Sequence, residues 1–438
     1  MPDAMHVVIF EGSQWSTFAP LCLNRPVFML STGMSTLLDK QIRYLGATRL
    51  TFWVRPELVD FCKTRVAPHL KMPVKINEPL DDEPALLVSG RSVHFRKFEE
   101  PASECAVVDE DKIREAYCKR PGLSMDDALN RTDRWLELLE LPRIEGQSRL
   151  AESLSDLISW NEESLIEDAL QLLKGVKRPI VAGPFYTVND EDIWLGNEVK
   201  INPGCVIDAS QGPVVLAEGV SIGSNSVIQG PCYIGPHSTV RPLSIVKESS
   251  TIGRLCKIGG EVVNTIMLGH SNKAHDGFLG HSYIGKWVNF GAGTTTANLK
   301  STYGLVSVQY AEREVPTGRQ FFGSVVGDHV KTGIGTRLMP GTYIGFCAAL
   351  LGSQIPPRFI PSFSFWSDKG LAPYDIDKAK QVMKAVYARR DLRWTDADDR
   401  MVAQVLVTAP KVEKMGPDNR GNGVDAEQPQ QATAALSP

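Results

Sequence analysis

The chain is short of several things, and each shortage closes a class of function. It has eight histidines in 438 residues. It has no run of Lys or Arg, and its net charge is -4, which gives no footprint for a nucleic-acid partner. Eight cysteines occur (Cys22, Cys62, Cys105, Cys118, Cys205, Cys232, Cys256 and Cys347), none in a C-x-x-C pair. That pattern excludes a zinc knuckle or disulfide framework and implies reduced thiols of a cytoplasmic protein. No apolar stretch reaches 18 residues, so no membrane span is expected. The opening MPDAMHVVIFEGSQW has too short an apolar run, and no basic start, for a signal peptide.

What is present divides into regions. Residues 5 to about 95 alternate short β-branched runs (HVVIF, RLTFWV, MPVKIN, ALLVS) with stretches of near-3.6 apolar spacing (STLLDKQIRYLG, PELVDFCKTRVAPH). This alternation predicts an α/β layer with parallel strands over 1–149. Residues 100–175 read as mostly helical, with a helix or helix pair over 150–173 inside a connector spanning 150–192. From 193 the period becomes six: Leu195, Ile201, Ile207, then Leu216, Ile222, Ile228, Ile234 and Val240. The register returns at Ile252, Ile258, Ile284, Phe290, Val326, Leu338 and Ile344, with Thr332 interrupting it. A six-residue unit holds one strand and one tight turn, and three units carry the chain round once. The hexads therefore predict a left-handed parallel β-helix over 193–356. Two interruptions, at 259–283 and 296–322, mark where a solenoid would build a site. Helices are expected over 357–408, the second starting at Thr395. The Gly/Pro/Gln-rich residues 409–438 read as a disordered tail.

Three of the eight histidines, His270, His275 and His281, fall within twelve positions, in GHSNKAHDGFLGHSYIGKWVNFGAG. An imidazole there is a candidate general base, and His270-x4-His275 also allows a zinc reading. The segment KAHDGFLGHSYIGKWVNFGAGTTTANLK (273–300) resembles the acetyltransferase half of the GlmU-type family. These are bifunctional UDP-N-acetylglucosamine pyrophosphorylase/glucosamine-1-phosphate acetyltransferases, and VRP at 240–242 matches upstream. It looks closest to a divergent branch of sugar nucleotidyltransferases. The resemblance implies His275 as catalytic base, and Arg241, Lys273 and Asn289 as contacts to a sugar phosphate. It implies Ala292 and Asn298 as contacts to an acyl-CoA, with acetyl-CoA as donor and a homotrimer as the assembly. Phe278 stands where that family keeps a tyrosine. The zinc reading is weaker, since β-helical carbonic-anhydrase-like proteins follow the second histidine almost at once with Ile-Gly, whereas nine positions separate His275 from Ile284. No metal ligand is therefore assigned.

The N-terminal likeness is damaged. A working nucleotidyltransferase opens with G-G-x-G-T-R, and here GSQWSTFAPL keeps Gly12 but puts Ser13 and Trp15 at glycines and Thr17 at the arginine. Arg25-Pro26 replaces Lys-Pro, so Gly12 and Arg25 are the remnant of a nucleotide site. Arg91 falls where a metal-binding aspartate is expected, so magnesium is implied only if this domain is active. The sequence therefore predicts an acyl-CoA-dependent N-acetyltransferase acting on an amino-sugar phosphate. An active sugar-1-phosphate nucleotidyltransferase and a non-catalytic trimeric scaffold that binds nucleotide-sugars remain as alternatives.

Overall fold

The computed structural model describes residues 5–415 apart from 81–82, 100, 102, 111, 120–140 and 177–182. Strand β1 (Met5–Phe10) pairs in parallel with β2 (Ala47–Trp53) on one side and β4 (Ala85–Ser89) on the other. Strand β3 (Val74–Ile76) continues the parallel set beyond β2. Helix α1 (Leu37–Leu45) makes the crossover from β1 to β2. Thr36 and Asp39 close a capping box at its start, and Gly46 ends it with φ 64°. The apolar-spaced stretch after β2 does not form one helix. Pro56 and Pro68 bracket a series of short helical turns over 56–69.

The prediction of a mostly helical 100–175 needs correcting over 105–118, and 120–140 lie outside the described residues. Strands β5 (Cys105–Asp109) and β6 (Lys112–Cys118) are antiparallel, and β6 pairs with β4. Both strands have a neighbour on each side, β5 taking Arg143–Ile144 as its outer partner, and β6 buries Glu115, so its charged residues hide the strand period. Among the described residues of this stretch, helix is found at α2 (Leu154–Ser159) and α3 (Asn161–Leu172).

The six-residue period becomes a three-faced parallel β-helix of the left-handed hexapeptide class. Face 1 runs from Tyr186–Val188 through Val206–Asp208 to Phe278–Gly280, and face 2 from Ile193–Leu195 to Phe359–Ile360. Face 3 runs from Lys200–Ile201 through Asn272–Lys273 to Lys331–Thr332 and Ser364–Ser367. The first coil thus starts before residue 193 and the last ends beyond 356. Ile207, Leu216, Ile222, Ile234, Ile258, Ile284 and Ile344 stack inside with no exposed surface. Each buried aliphatic contributes about 1.5–3 kcal/mol, and the column repeats that gain at every coil.

The second interruption is a hairpin, β7 (Val306–Gln309) and β8 (Glu314–Arg319), which turns back on the N-terminal domain. Helices α4 (Ile376–Ala388) and α5 (Asp396–Met415) follow the β-helix. The Asp398 carboxylate accepts from Thr395 N at 2.8 Å, so Thr395 does start α5. That helix continues through Pro410 to Met415, so residues 409–415 are helical where a disordered tail was expected; the rest of that tail lies outside the described residues.

Helix α3 joins the parts. Asn161, fully buried, accepts from Gly33 N (2.7 Å) and Thr251 Oγ1 (3.0 Å) and donates to Ser249 O (2.7 Å). Asp168 accepts from Lys40 and Arg43 at 2.7 and 2.8 Å. Gly33 holds φ 71°, and a Cβ there would lie 2.6 Å from Ser164 O, so only glycine lets the loop approach α3. One buried core runs from Phe18 and Phe28 through Tyr283 and Tyr343 to Met383 and Val405. The N-terminal domain, β-helix and C-terminal helices are therefore packed as one body.

Candidate functional site

The sequence crowding of His270, His275 and His281 is undone by the coil. Their coil runs Ile266–Met267 on face 2, Asn272–Lys273 on face 3, Phe278–Gly280 on face 1 and Tyr283–Ile284 back on face 2. Each histidine occupies the turn between two of these strands, so the three rings leave from three different corners. One chain does not bring His270 and His275 to a shared ion, and among the described residues no group of three His, Cys, Asp or Glu could hold a metal. The zinc reading has no geometry in a single chain.

His275 is exposed at the corner between faces 3 and 1. One coil earlier Gly259 and Gly260 alone join the strands at this corner; here four residues, Ala274 to Gly277, do so. Gly277 (φ 120°) lets the longer loop rejoin the wall, since a Cβ would meet Thr294 O at 2.2 Å. The loop pushes the imidazole outward. Arg241, also exposed, stands two coils back at the same corner, each coil hydrogen-bonded to the next through Arg241 N to Ile258 O and Gly259 N to Lys273 O. Two strand spacings make about 10 Å. Gly291 and half-buried Ala292 occupy the corner one coil onward. Asn289 lies beside it, exposed on face 3.

Two other assigned residues lie elsewhere. Lys273 follows Ile258 in the inward column, is 2% exposed, and its Nζ donates to Gly259 O (3.1 Å) and His275 O. Burial lowers its pKa to about 8, with Asp276 opposing. This ammonium sits inside the prism, so it braces the loop that carries His275 and does not reach out to a phosphate. Asn298 lies across face 1, where its Nδ2 meets His281 Nδ1 at 2.8 Å and His281 stacks on Phe321 at 5.5 Å. Asn298 and His275 are thus at opposite edges of one face, and Phe278 is half-buried between them.

A third corner, between faces 2 and 3, was not legible beforehand. His270, Trp287 and His329 all hold φ near +63° (64°, 63° and 62°) at successive coils. Left-handed backbone costs a non-glycine residue about 1–2 kcal/mol. Stacked rings offset it: His270 on Trp287 at 4.1 Å, and Trp287 with His329 at 6.1 Å and Tyr387 at 4.7 Å. Burial depresses the imidazoles, His270 to about 4 and His329 to about 3, so both are neutral near pH 7. Next to this stack a cavity of about 390 Å³ contains Lys257, Lys331, Arg389 and Arg390 together with Asn289, and no carboxylate. The outward column Lys257, Asn272, Asn289, Lys331 has one signal in sequence: each residue precedes an inward position by one.

In the N-terminal domain, ligands of open α/β sheets bind outside the C-terminal ends of strands, where strand order reverses. That point lies between β1 and β4, at Glu11-Gly12 and Gly90-Arg91, and the chain's own residues fill it. Glu11, fully buried, pairs with Arg55 at 3.1 Å, and the Arg55 guanidinium lies 3.3 Å from the Trp15 ring centre. Gly12 (φ 75°) only starts the turn that brings Trp15 there. Arg91 donates to Ala151 O at 3.1 Å and faces Glu152 at 3.7 Å. The hairpin β7–β8 and α2 leave a void of only about 40 Å³ between Thr17, Ser153 and Val308. A buried guanidinium at the aspartate's place does not fit a magnesium ligand. Arg25, the second remnant, leaves this crevice altogether and pairs with Asp328 of the β-helix.

Residues 7–177 match the family model described as sugar nucleotidyl transferase. A bifunctional sugar-1-phosphate nucleotidylyltransferase/acetyltransferase of Sulfurisphaera tokodaii is 36% identical over 154 residues, 34% of this chain and 37% of that one. The bifunctional protein GlmU of Methanococcus vannielii is 32% identical over 239 residues, 52% of this chain and 55% of that one. The chain thus spans about a third to a half of the length of these curated relatives. A solved Arabidopsis UDP-N-acetylglucosamine acyltransferase, 14% identical, aligns over 54% of this chain and 94% of that one with a TM-score of 0.24. The resemblance to GlmU-type proteins read from residues 273–300 holds. No helix among the described residues is long and apolar enough to cross a membrane.

Proposed function

We propose that the β-helix transfers an acetyl group from acetyl-CoA to the amine of an amino-sugar phosphate. One observation carries this reading: exposed His275 and exposed Arg241 share a corner, about 10 Å apart, with Ala292 one coil further on. That span suits a pyranose with its phosphate on Arg241 and its amine at His275, given the length of an arginine side chain. The guanidinium offers a planar fork to phosphate oxygens. The imidazole takes the proton that the ammonium must lose before nitrogen attacks the thioester carbonyl. The C–N bond forms, the C–S bond breaks, and coenzyme A leaves as the thiol. Asn289 orients the sugar, and Ala292 and Asn298 contact the acyl-CoA. Since Asn298 lies across the face from His275, a second copy of the chain completes the site in a homotrimer. We place this trimer in the cytoplasm.

The match of residues 7–177 favours a second reading, nucleotidyl transfer from a nucleoside triphosphate to a sugar 1-phosphate. Filling of the strand-end crevice by Trp15, Arg55 and the β7–β8 hairpin weighs against it. Thiol release from acetyl-CoA with a panel of amino-sugar 1-phosphates tests the first reading. His275→Ala is expected to lower kcat by roughly 10²–10⁴. Unchanged turnover in that variant would sink the assignment. Magnesium-dependent pyrophosphate release from a nucleoside triphosphate and sugar 1-phosphate would establish the second reading.

A further inference from the structure

A cavity of about 340 Å³ lies away from that corner, where all three parts of the molecule meet. The N-terminal domain contributes Asn24 and Arg25, the β-helix Lys286 and His329, and the C-terminal helices Tyr387 and Arg400. Neither Gly12 nor Arg91 lines it, and neither Arg241 nor His275 does. It is therefore separate from the N-terminal crevice and from the acetyl-transfer corner.

Its polar atoms point to a ligand. Arg25 is 3% exposed and His329 4%, yet Arg25 Nη1 and His329 Nδ1 have no hydrogen-bond partner, and neither has Asn24 Oδ1. Buried polar groups are costly to leave unpaired, so a site that is paired only when occupied explains all three. Charge tells the same story. Three cations of the lining already have carboxylates: Arg25 with Asp328, Arg65 with Asp398 at 2.7 Å, and Arg400 with Asp60 at 2.9 Å. Among the described residues no ion pair within 4 Å engages Lys286 or Arg254. Burial first, then Arg25 and Arg254, depress Lys286 to about 8 against the opposing pull of Asp328. An anion in the cavity would relieve that repulsion. The neutral imidazoles of His270 and His329 and the Asn24 amide suit hydroxyl groups rather than a second charge.

We propose that this junction binds a phosphorylated sugar-sized molecule, phosphate toward Arg25, Lys286 and Arg254 and hydroxyls toward Asn24 and His329. Its volume lies at the lower end of small-molecule pockets, right for a hexose phosphate and small for a dinucleotide. Because the walls come from three regions, occupancy ties α4 and α5 to the rest of the chain.

The test uses the full chain with glucose 1-phosphate and, separately, inorganic phosphate, read by thermal shift, equilibrium binding and hydrogen exchange. Glucose 1-phosphate is expected to bind saturably, raise Tm and slow exchange over 376–415. Lys286→Met should weaken binding tenfold or more. Arg254→Gln, at the exposed rim where folding is not at risk, should weaken it several-fold. His275→Ala should bind as the parent does, so failure of the acetyl-transfer reading and failure of this one are told apart. Inorganic phosphate binding as tightly as the sugar ester would remove the hydroxyl contacts from the proposal. Absence of saturable binding, or binding indifferent to both Lys286→Met and Arg254→Gln, would overturn it.

Discussion

Lys273 shows how one residue position changes a role. Its number places it two before the catalytic candidate, where a cation would suit a phosphate. Its register places it inward, following Ile258 in the core column. A buried ammonium must be compensated, and here two carbonyls, Gly259 O and His275 O, do it. Lys273 is thus a positioning residue for the loop 274–277. Lys273→Met, of similar volume, is expected to lower kcat for acetyl transfer about tenfold with little change in acceptor KM. The Tm at pH 7 should change little, since the lost hydrogen bonds are offset by the charge no longer buried. Steady-state kinetics decide: a raised acceptor KM with kcat intact would make Lys273 a phosphate contact after all.

At the scale of elements, the hexads made the β-helix legible, because every coil repeats the same inward aliphatic. The strands β5 and β6 were not legible, since β6 carries Lys112, Arg114 and a buried Glu115 and so lacks a clean period of two. The separation of His270, His275 and His281 to three corners could not be read from the period, because the strict register lapses over 259–283 and only the strand pairing restores it. The left-handed turns at His270, Trp287 and His329 belong to a column that His237, Leu255 and Cys347 share at φ 54–56°, and what stayed hidden there is the stacking of the rings on one another and on α4. The end of α5 was hidden for a similar reason. Glu413 anchors it, accepting from Ser362 N (2.9 Å), Ser362 Oγ (2.5 Å) and Tyr343 OH (3.1 Å). Burial pushes its carboxyl up to about 7, against those hydrogen bonds. An unfolded glutamate ionises near pH 4.5, so between about pH 4.5 and 7 the native state holds the extra proton. Stability therefore falls as pH rises through that window. Hydrogen exchange over 396–415 should quicken from pH 5 to 7.5, after correction for intrinsic rates. Glu413→Gln should flatten the dependence; an unchanged slope in that variant would assign the effect to another group.

For the whole molecule, the two halves are joined through charges that the sequence gives no means of pairing, since Arg25 and Asp328 lie three hundred positions apart. Both are buried, and Asp328 also accepts from Asn24 Nδ2 (3.1 Å) and Lys286 N (2.9 Å). Burial alone would raise the Asp328 carboxyl. Arg25, His329 and these hydrogen bonds outweigh it and hold the group below the usual range. A depressed acid contributes stability above its unfolded pKa near 3.9 and loses it as pH falls. Removing Arg25 leaves the carboxylate buried without its cation, a loss of about 3–5 kcal/mol. Arg25→Met should therefore lower Tm and, because this pair bridges the domains, split the melting of the N-terminal domain from that of the β-helix. Arg25→Met combined with Asp328→Asn should recover most of the loss, because no uncompensated charge remains. Calorimetry of the parent, the single and the double variant separates the outcomes. A single unshifted transition in Arg25→Met would mean that α3, through Asn161 and Asp168, holds the halves together without this pair.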